Sequence, residues 1–196
     1  MRIFGVILAG GLGRRMGGAD KAFLPLAGKP LIRHVLDRLS PQVETVILSA
    51  NGDPARFADL GCAVVPDDVP QGPLSGILSA LRHAGAAGAS HLVSTPVDTP
   101  FLPLDMVARL RDAAVSASEG LAIACTRDGD HPATALWPMS LAPALSAYLA
   151  AGGARVTGFA GAHHAARADF PEAGTFRNLN TPEDLAAAEA LLAGEA

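Results

Sequence analysis

The sequence predicts an α/β protein: an open, mostly parallel sheet with helices on both faces. Three observations carry this. Short apolar runs alternate with amphipathic segments along the chain. The first run empties into a glycine-rich, cationic loop. The following runs each end in polar turn residues, as strands do when their carboxyl ends line a binding crevice.

Taken in order, the apolar runs predict strands over Ile3–Leu8, Thr45–Ala50, Ala63–Val65, His91–Thr95, Gly120–Thr126 and Ala133–Trp137. Between them, Leu31, Ile32, Val35, Leu36 and Leu39 recur at helical spacing, with Arg33, His34, Asp37 and Arg38 opposite. Ser75 to Ala87 repeats the pattern with Ile77, Leu78 and Leu81. Pro103 suits the first turn of a helix carrying Leu104, Val107 and Leu110. Thr181-Pro182-Glu183-Asp184 reads as a capping box opening a last helix that buries Leu185, Ala188, Leu191 and Leu192. Residues 152–174 have weak periodicity and read as helix, loop and a short edge strand. No repeat or linker interrupts the chain, so residues 1–196 read as one domain.

Bulk properties narrow the function classes. A net charge of −4 and a pI near 5.8 argue against nucleic acid or an anionic membrane as the main partner. A local cation cluster in an acidic chain points instead to a small anionic ligand. Cys62 and Cys125 lack metal-ligand or CxxC spacing, and both sit in apolar runs, which predicts buried, reduced thiols. The N-terminal apolar run enters a cationic loop rather than a cleavage site, and no run approaches the roughly 20 apolar residues of a membrane span. The expected location is the cytoplasm.

The loop itself, Leu8-Ala9-Gly10-Gly11-Leu12-Gly13-Arg14-Arg15-Met16-Gly17-Gly18-Ala19-Asp20-Lys21, holds five glycines, two arginines and a lysine. Glycine lets backbone N–H groups approach and converge on an anion, and the cations add countercharge. Neither common phosphate loop fits. Gly13 and Gly18 have Walker spacing, but Ala19 and Asp20 follow where Lys and Ser/Thr are needed. Gly11 and Gly13 start a dinucleotide fingerprint that Met16 breaks.

At the other strand ends, several residues carry a functional and a structural reading side by side. Asp98, between Pro96 and Pro100, is either a Mg²⁺ ligand or a cap or turn carboxylate. Asp67 either accepts the adjacent N1–H and amine donors of guanine or sits in a solvated turn. Asn51 either meets base or ribose or holds a turn before Gly52. Gly72-Pro73-Leu74-Ser75-Gly76 either lets a base approach or simply opens a helix. His131 faces a second substrate or is a turn residue before Pro132. His163 and His164 read as solvated surface, and Trp137 as core. No Ser/His/Asp order and no reactive Cys/His pair suggests a covalent nucleophile.

Read together in chain order, the glycine-rich loop, Leu26-Ala-Gly-Lys-Pro-Leu31, Gly72-Pro-Leu-Ser-Gly76, Thr95-Pro-Val-Asp-Thr-Pro100, Asp130-His-Pro132 and Asn178-Leu-Asn-Thr-Pro-Glu183 resemble the molybdenum cofactor guanylyltransferases. These belong to the nucleotidyltransferase superfamily, with a Rossmann-like sheet in a three-layer fold. The first motif specifies only the superfamily, and the Met-Gly-Gly-x-Asp-Lys and Asn-x-Asn-Thr-Pro-Glu segments narrow it. The resemblance implies GMP transfer from GTP to the terminal phosphate of molybdopterin cofactor, with Mg²⁺ and release of pyrophosphate.

By the same resemblance Leu8, Ala9, Gly10, Gly11, Lys21, Asn51, Asp67 and Asp98 would bind GTP, and Asp98 would hold the metal. Ser49 is an alternative match for Asn51. Lys21, Asp98 and Arg15 would serve catalysis, and Asn178, Asn180 and His131 would face the pterin, placing its side in the C-terminal part of the chain. Transient contacts with cofactor-delivering and cofactor-accepting proteins are expected. A CTP-using relative, a sugar-phosphate nucleotidyltransferase and a non-catalytic nucleotide-binding adaptor are the competing readings.

Overall fold

The structure, a computed structural model, describes residues 1–10, 20–67, 72–172 and 174–194. In chain order its elements are β1 (Ile3–Leu8), β2 (Pro25–Leu26), β3 (Lys29–Pro30), α1 (Leu31–Leu39), β4 (Thr45–Ser49), β5 (Ala63–Val65) and α2 (Pro73–Ala86). Then follow β6 (His91–Pro96), α3 (Met106–Ala114), β7 (Ala122–Thr126), β8 (Gly129–Pro138), α4 (Ala142–Ala150), α5 (Val156–Ala162), β9 (Ala166–Asp169) and α6 (Pro182–Gly194). Seven strands form one sheet in the order β5-β4-β1-β6-β8-β7-β9, and β2 and β3 pair as a separate hairpin. The pairs β5·β4, β4·β1, β1·β6 and β7·β9 are parallel, and β8 runs antiparallel to both its neighbours. The mostly parallel sheet is as the sequence predicts.

Both faces are covered. On one, Ile32, Val35 and Leu39 of α1 and Met106, Val107 and Leu110 of α3 pack against Ile7, Leu48 and Val93. On the other, α2, α4 and α5 contribute Ile77, Leu81, Leu145 and Phe159 against Phe4, Val6, Leu92 and Trp137. The alternation along β1 sorts Val6 to one face and Ile7 to the other. A smaller cluster joins α6 to the hairpin through Leu26, Leu31, Leu179 and Ala188.

Phe159 anchors α5. It is fully buried, with ring centroids 5.9 Å from Trp137, 5.5 Å from Tyr148 and 4.2 Å from His163. Phe159→Ala should cost about 3–5 kcal/mol through lost transfer energy and the cavity left behind. A denaturant midpoint measures it, and a loss under about 1 kcal/mol would deny Phe159 that role.

Several expectations are corrected. α3 starts at Met106 rather than Pro103, and Leu104 is exposed while Leu102 is buried. The reason is a distant cap: Gln42 donates to the Pro103 carbonyl at 2.8 Å, and its Oε1 accepts from Val107 N at 3.0 Å. Gly120 lies before its strand at φ +73°. β8 begins at Gly129, because Thr126 to Gly129 close a β7–β8 hairpin. Its register then shifts: Ala124 faces His131 while Ile123 faces Ala135, so residues 132–134 bulge.

In α6 the packed stripe is Leu185, Ala188 and Leu192, and Leu191 is exposed. His163 is not simply solvated: its ring packs on Phe159, and Nδ1 lies 2.7 Å from Glu119. Cys62 is half-buried, whereas Cys125 is buried, and both are free. Burial pushes the Cys62 thiol up, with Arg33 opposing. Trp137 is core, donating from Nε1 to Ser94 Oγ at 2.8 Å.

Candidate active site

Because β5, β4, β1 and β6 run parallel, their carboxyl ends meet at one edge of the sheet. The ladder continues past the strands. Ala9 N donates to Ser49 O at 2.8 Å, Ala50 N to Val65 O at 3.2 Å and Val97 N to Leu8 O at 3.2 Å. These bonds hold the Leu8-Ala9-Gly10, Ser49-Ala50-Asn51, Pro66-Asp67 and Pro96-Val97-Asp98 turns in fixed relation. Gly11 and Arg15 lie outside the described residues.

Two polar clusters form there. The first surrounds Asp67. Ser49 Oγ donates to Asp67 Oδ1 at 3.0 Å, and Asn51 Nδ2 donates to Oδ2 at 3.3 Å. Asp67 N in turn donates to Asn51 Oδ1 at 2.9 Å. Asn51 and Ser49, alternatives in the sequence, therefore both serve the same carboxylate. Gly10 lies beside this cluster: a Cβ built on it would stand 3.9 Å from Asp67 Oδ2 and 4.0 Å from Asn51 Nδ2. The backbone of β1's end therefore passes close to the carboxylate without covering it.

The second cluster is cationic and acidic. Lys21 opens a 3₁₀ turn whose N-cap is Asp20, accepting from Ala22 N at 3.1 Å. Lys21 Nζ lies 2.5 Å from Asp98 Oδ2 and 2.6 Å from Asn180 Oδ1. The Lys21 and Asp98 side chains are only 12% and 14% exposed, which separates this pair from an ordinary surface ion pair. Asp98 is not a helix cap. Its other oxygen, Oδ1, is buried with no hydrogen-bond partner among the described residues. A buried carboxylate oxygen left open in this way is free to accept an ion or a donor.

Asn180 is set by the cap of α6. Asp184 Oδ2 accepts from Asn180 N and Thr181 N, each at 3.0 Å, and Thr181 Oγ1 accepts from Asp184 N at 3.1 Å. The Asn180 backbone N–H is the chief reason the Asp184 carboxyl sits below the usual carboxylate range. Leu179 N also donates to Asp98 O at 2.9 Å. The capping box that the sequence suggests thus carries the asparagine to Lys21.

Arg56 ties the two clusters together. Its Nη1 pairs with Asp20 Oδ2 at 2.6 Å, and its Nη2 donates to the Asn51 carbonyl at 2.7 Å. The guanidinium rests 4.6 Å over the Phe57 ring, which stacks on Phe23 at 5.3 Å.

Next to Asp98 opens a cavity of about 410 Å³ lined by Pro96, Thr99, His131, Arg155, Thr157 and Asn178, among others. The bulge of β8 supplies Pro132, Ala133 and Thr134 to its wall, and Ser94 Oγ pins it by donating to Ala133 O at 2.7 Å. His131 Nε2 lies 2.9 Å from Thr126 Oγ1, and its ring is 5.1 Å from Phe176. Burial lowers the His131 pKa against the pull of Asp128 and Asp130, which favours the neutral ring. Asn178 lines this cavity, whereas Asn180 points at Lys21, so the two late asparagines serve different places.

Sequence reading did not single out Arg155, Phe176 or Arg56. Arg155 lies in the stretch of weak periodicity, and Phe176 lies just beyond it. Only the fold brings them beside the cavity.

Residues 5–166 match the MobA-like NTP transferase domain family. A protein of Cereibacter sphaeroides named molybdenum cofactor guanylyltransferase is 59% identical over 196 residues, covering 100% of both chains. Among solved structures, molybdopterin-guanine dinucleotide biosynthesis protein A from Archaeoglobus fulgidus is 25% identical, with a TM-score of 0.74 over 97% of this chain and 99% of that one. Rv0371C of Mycobacterium tuberculosis, solved in complex with manganese, is 18% identical with a TM-score of 0.69, covering 97% of this chain and 99% of that one; this likeness bears on the fold alone.

Proposed function

The chain belongs to the MobA-like NTP transferase domain family and is a nucleotidyltransferase, and on that premise we propose that it transfers GMP from GTP to the terminal phosphate of molybdopterin cofactor. Pyrophosphate leaves and the guanine dinucleotide form of the cofactor results. The observation that carries this reading is the position of Lys21 and Asp98. They meet beyond the strand ends, with a carboxylate cluster suited to a base on one side and an open cavity on the other.

In this reading Leu8, Ala9, Gly10 and Gly11 line the nucleotide, joined by Lys21, Asn51 and Asp67. Asp67 offers two acceptor oxygens to the N1–H and amine of guanine. Lys21 and Arg15 compensate the charge of the phosphates. The attacking phosphate oxygen is already anionic near neutral pH, so in-line positioning and charge compensation suffice and no general base is needed. Asn178 and His131 face the pterin, and Asn180 fixes the direction of the Lys21 ammonium. Residues 1–196 act as one domain, with the cavity side receiving the second substrate.

Asp98 fits a hard divalent cation. Its Oδ1 is the open acceptor, and among the described residues no group of three or more His, Cys, Asp or Glu competes for a metal. A cation with one protein carboxylate is the mode of Mg²⁺, which completes its shell with phosphate oxygens and water. Mg²⁺ bound there would supply charge compensation to the leaving pyrophosphate.

The reading extends to a cytoplasmic setting, which both free thiols suit, and to transient contacts with proteins that deliver and receive the cofactor. No helix among the described residues is long and apolar enough to cross a membrane.

The test is incubation with GTP, MgCl₂ and a molybdopterin-loaded partner, with release of pyrophosphate and formation of the guanine dinucleotide as the expected result. Equal turnover with CTP would reassign the base. Pyrophosphate release with a sugar 1-phosphate and none with the pterin would reassign the acceptor. GTP binding without turnover under any condition would favour an adaptor.

A further inference from the structure

Resting on the GTP reading above, we propose that Ser49 is a positioning residue that sets guanine selectivity. It does so by holding Asp67 as a two-oxygen acceptor turned to the base. Ser49 ends β4 and is only 2% exposed, yet its hydroxyl is spent on a carboxylate rather than on a neighbouring carbonyl. The terminal torsion of an aspartate is broad and does not orient its own plane. Here the plane is fixed from both ends: Ser49 donates to Oδ1 at 3.0 Å and Asn51 to Oδ2 at 3.3 Å. Each carboxylate oxygen has further lone-pair capacity after one donor is bound. Asp67 thus keeps one acceptor direction on each oxygen, coplanar and side by side. Guanine presents N1–H and the 2-amino group side by side in the same way.

Among the described residues, the surroundings favour one approach. A Cβ at Gly76 would stand 2.2 Å from Ser49 Oγ and 3.1 Å from Asp67 Oδ1, so the first turns of α2 close directly onto the pair. On the side of Gly10 the nearest contact to such a Cβ is 3.9 Å, and Gly10 is exposed. A base therefore reaches the carboxylate past Gly10, not from α2. Removing the Ser49 hydroxyl leaves Asn51 as a single tether, and the plane of the carboxylate is free to swing. One oxygen still meets N1–H, but the pairing with the 2-amino group is lost.

The experiment compares GTP with inosine triphosphate, which lacks the 2-amino group, on the full-length wild type and on Ser49→Ala. Both kcat/KM and calorimetric Kd are read, with thermal midpoints as a folding control. The wild type should prefer GTP by about tenfold or more, and Ser49→Ala should reduce that ratio at least about threefold while weakening GTP itself about tenfold, the scale of one hydrogen bond to a charged group. A merely structural serine would weaken both nucleotides equally, and an unchanged ratio overturns the proposal. So does a wild type that binds both nucleotides alike. Because the ratio is also read from binding, absence of transfer to the pterin overturns the reaction assigned above and not the role of Ser49.

Discussion

Asp98→Asn should lower transfer activity by at least about 10²-fold, on the order of 3 kcal/mol of transition-state stabilisation, while the protein stays folded. The substitution keeps the shape of the side chain and an oxygen toward Lys21 Nζ, which lies 2.5 Å from Asp98 Oδ2. Asn180 Oδ1 remains at 2.6 Å as a second acceptor. The stability cost therefore stays well below the roughly 3–5 kcal/mol of a buried pair emptied of one partner. What disappears is the negative charge, and with it the open oxygen that suits a divalent cation. Raising MgCl₂ should not restore the rate, whereas the wild type should saturate with it. Circular dichroism and a melting curve check the fold, and pyrophosphate release checks the rate. A variant within about threefold of wild type would remove Asp98 from the site and with it the metal assignment.

The parts of this site that could be read in the sequence are those set by local rules. β1 and β5 begin and end where the apolar runs do, and α1 spans Leu31–Leu39 as its periodicity predicts. The Thr181 cap is written in adjacent residues, so Asn180 had a visible reason to be ordered. Long-range contacts were not visible. α3 is capped by Gln42, and nothing near Pro103 announces that. α4 is alanine-rich and apolar on most sides, so no stripe marks it. Pro132 hides the middle of β8, because the ladder breaks into a bulge there. The same bulge makes the cavity wall, so the feature that blurred the strand is the one that shapes the cavity. Lys21, Asp98 and Asn180 were each visible as residues, but their meeting at one ammonium group depends on the crossover from β1 to β6 and on the return of the chain after β9.

The second large effect concerns the base. Asp67→Asn should lower kcat/KM for GTP by about 10²-fold and make xanthosine triphosphate the better substrate, because a site built around hydrogen bonds rejects a base edge that leaves them unpaired. The neighbours decide how the new amide sits. Asn51 Nδ2 can only donate, so the amide oxygen takes the place of Asp67 Oδ2, 3.3 Å away. The amide nitrogen then takes the place of Oδ1 beside Ser49, whose hydroxyl can reverse and accept. The side chain thus presents one acceptor and one donor where the aspartate presented two acceptors. Guanine, with two donors, loses one bond and gains a clash of like groups. Xanthine keeps N1–H and carries a carbonyl at C2, which matches the new pair. Selectivity is a difference between two affinities, so the informative quantity is the ratio of kcat/KM for the two nucleotides. Its inversion supports Asp67 as the reader of the base edge. An equal fall for both nucleotides would mean that Asp67 shapes the turn without touching the base.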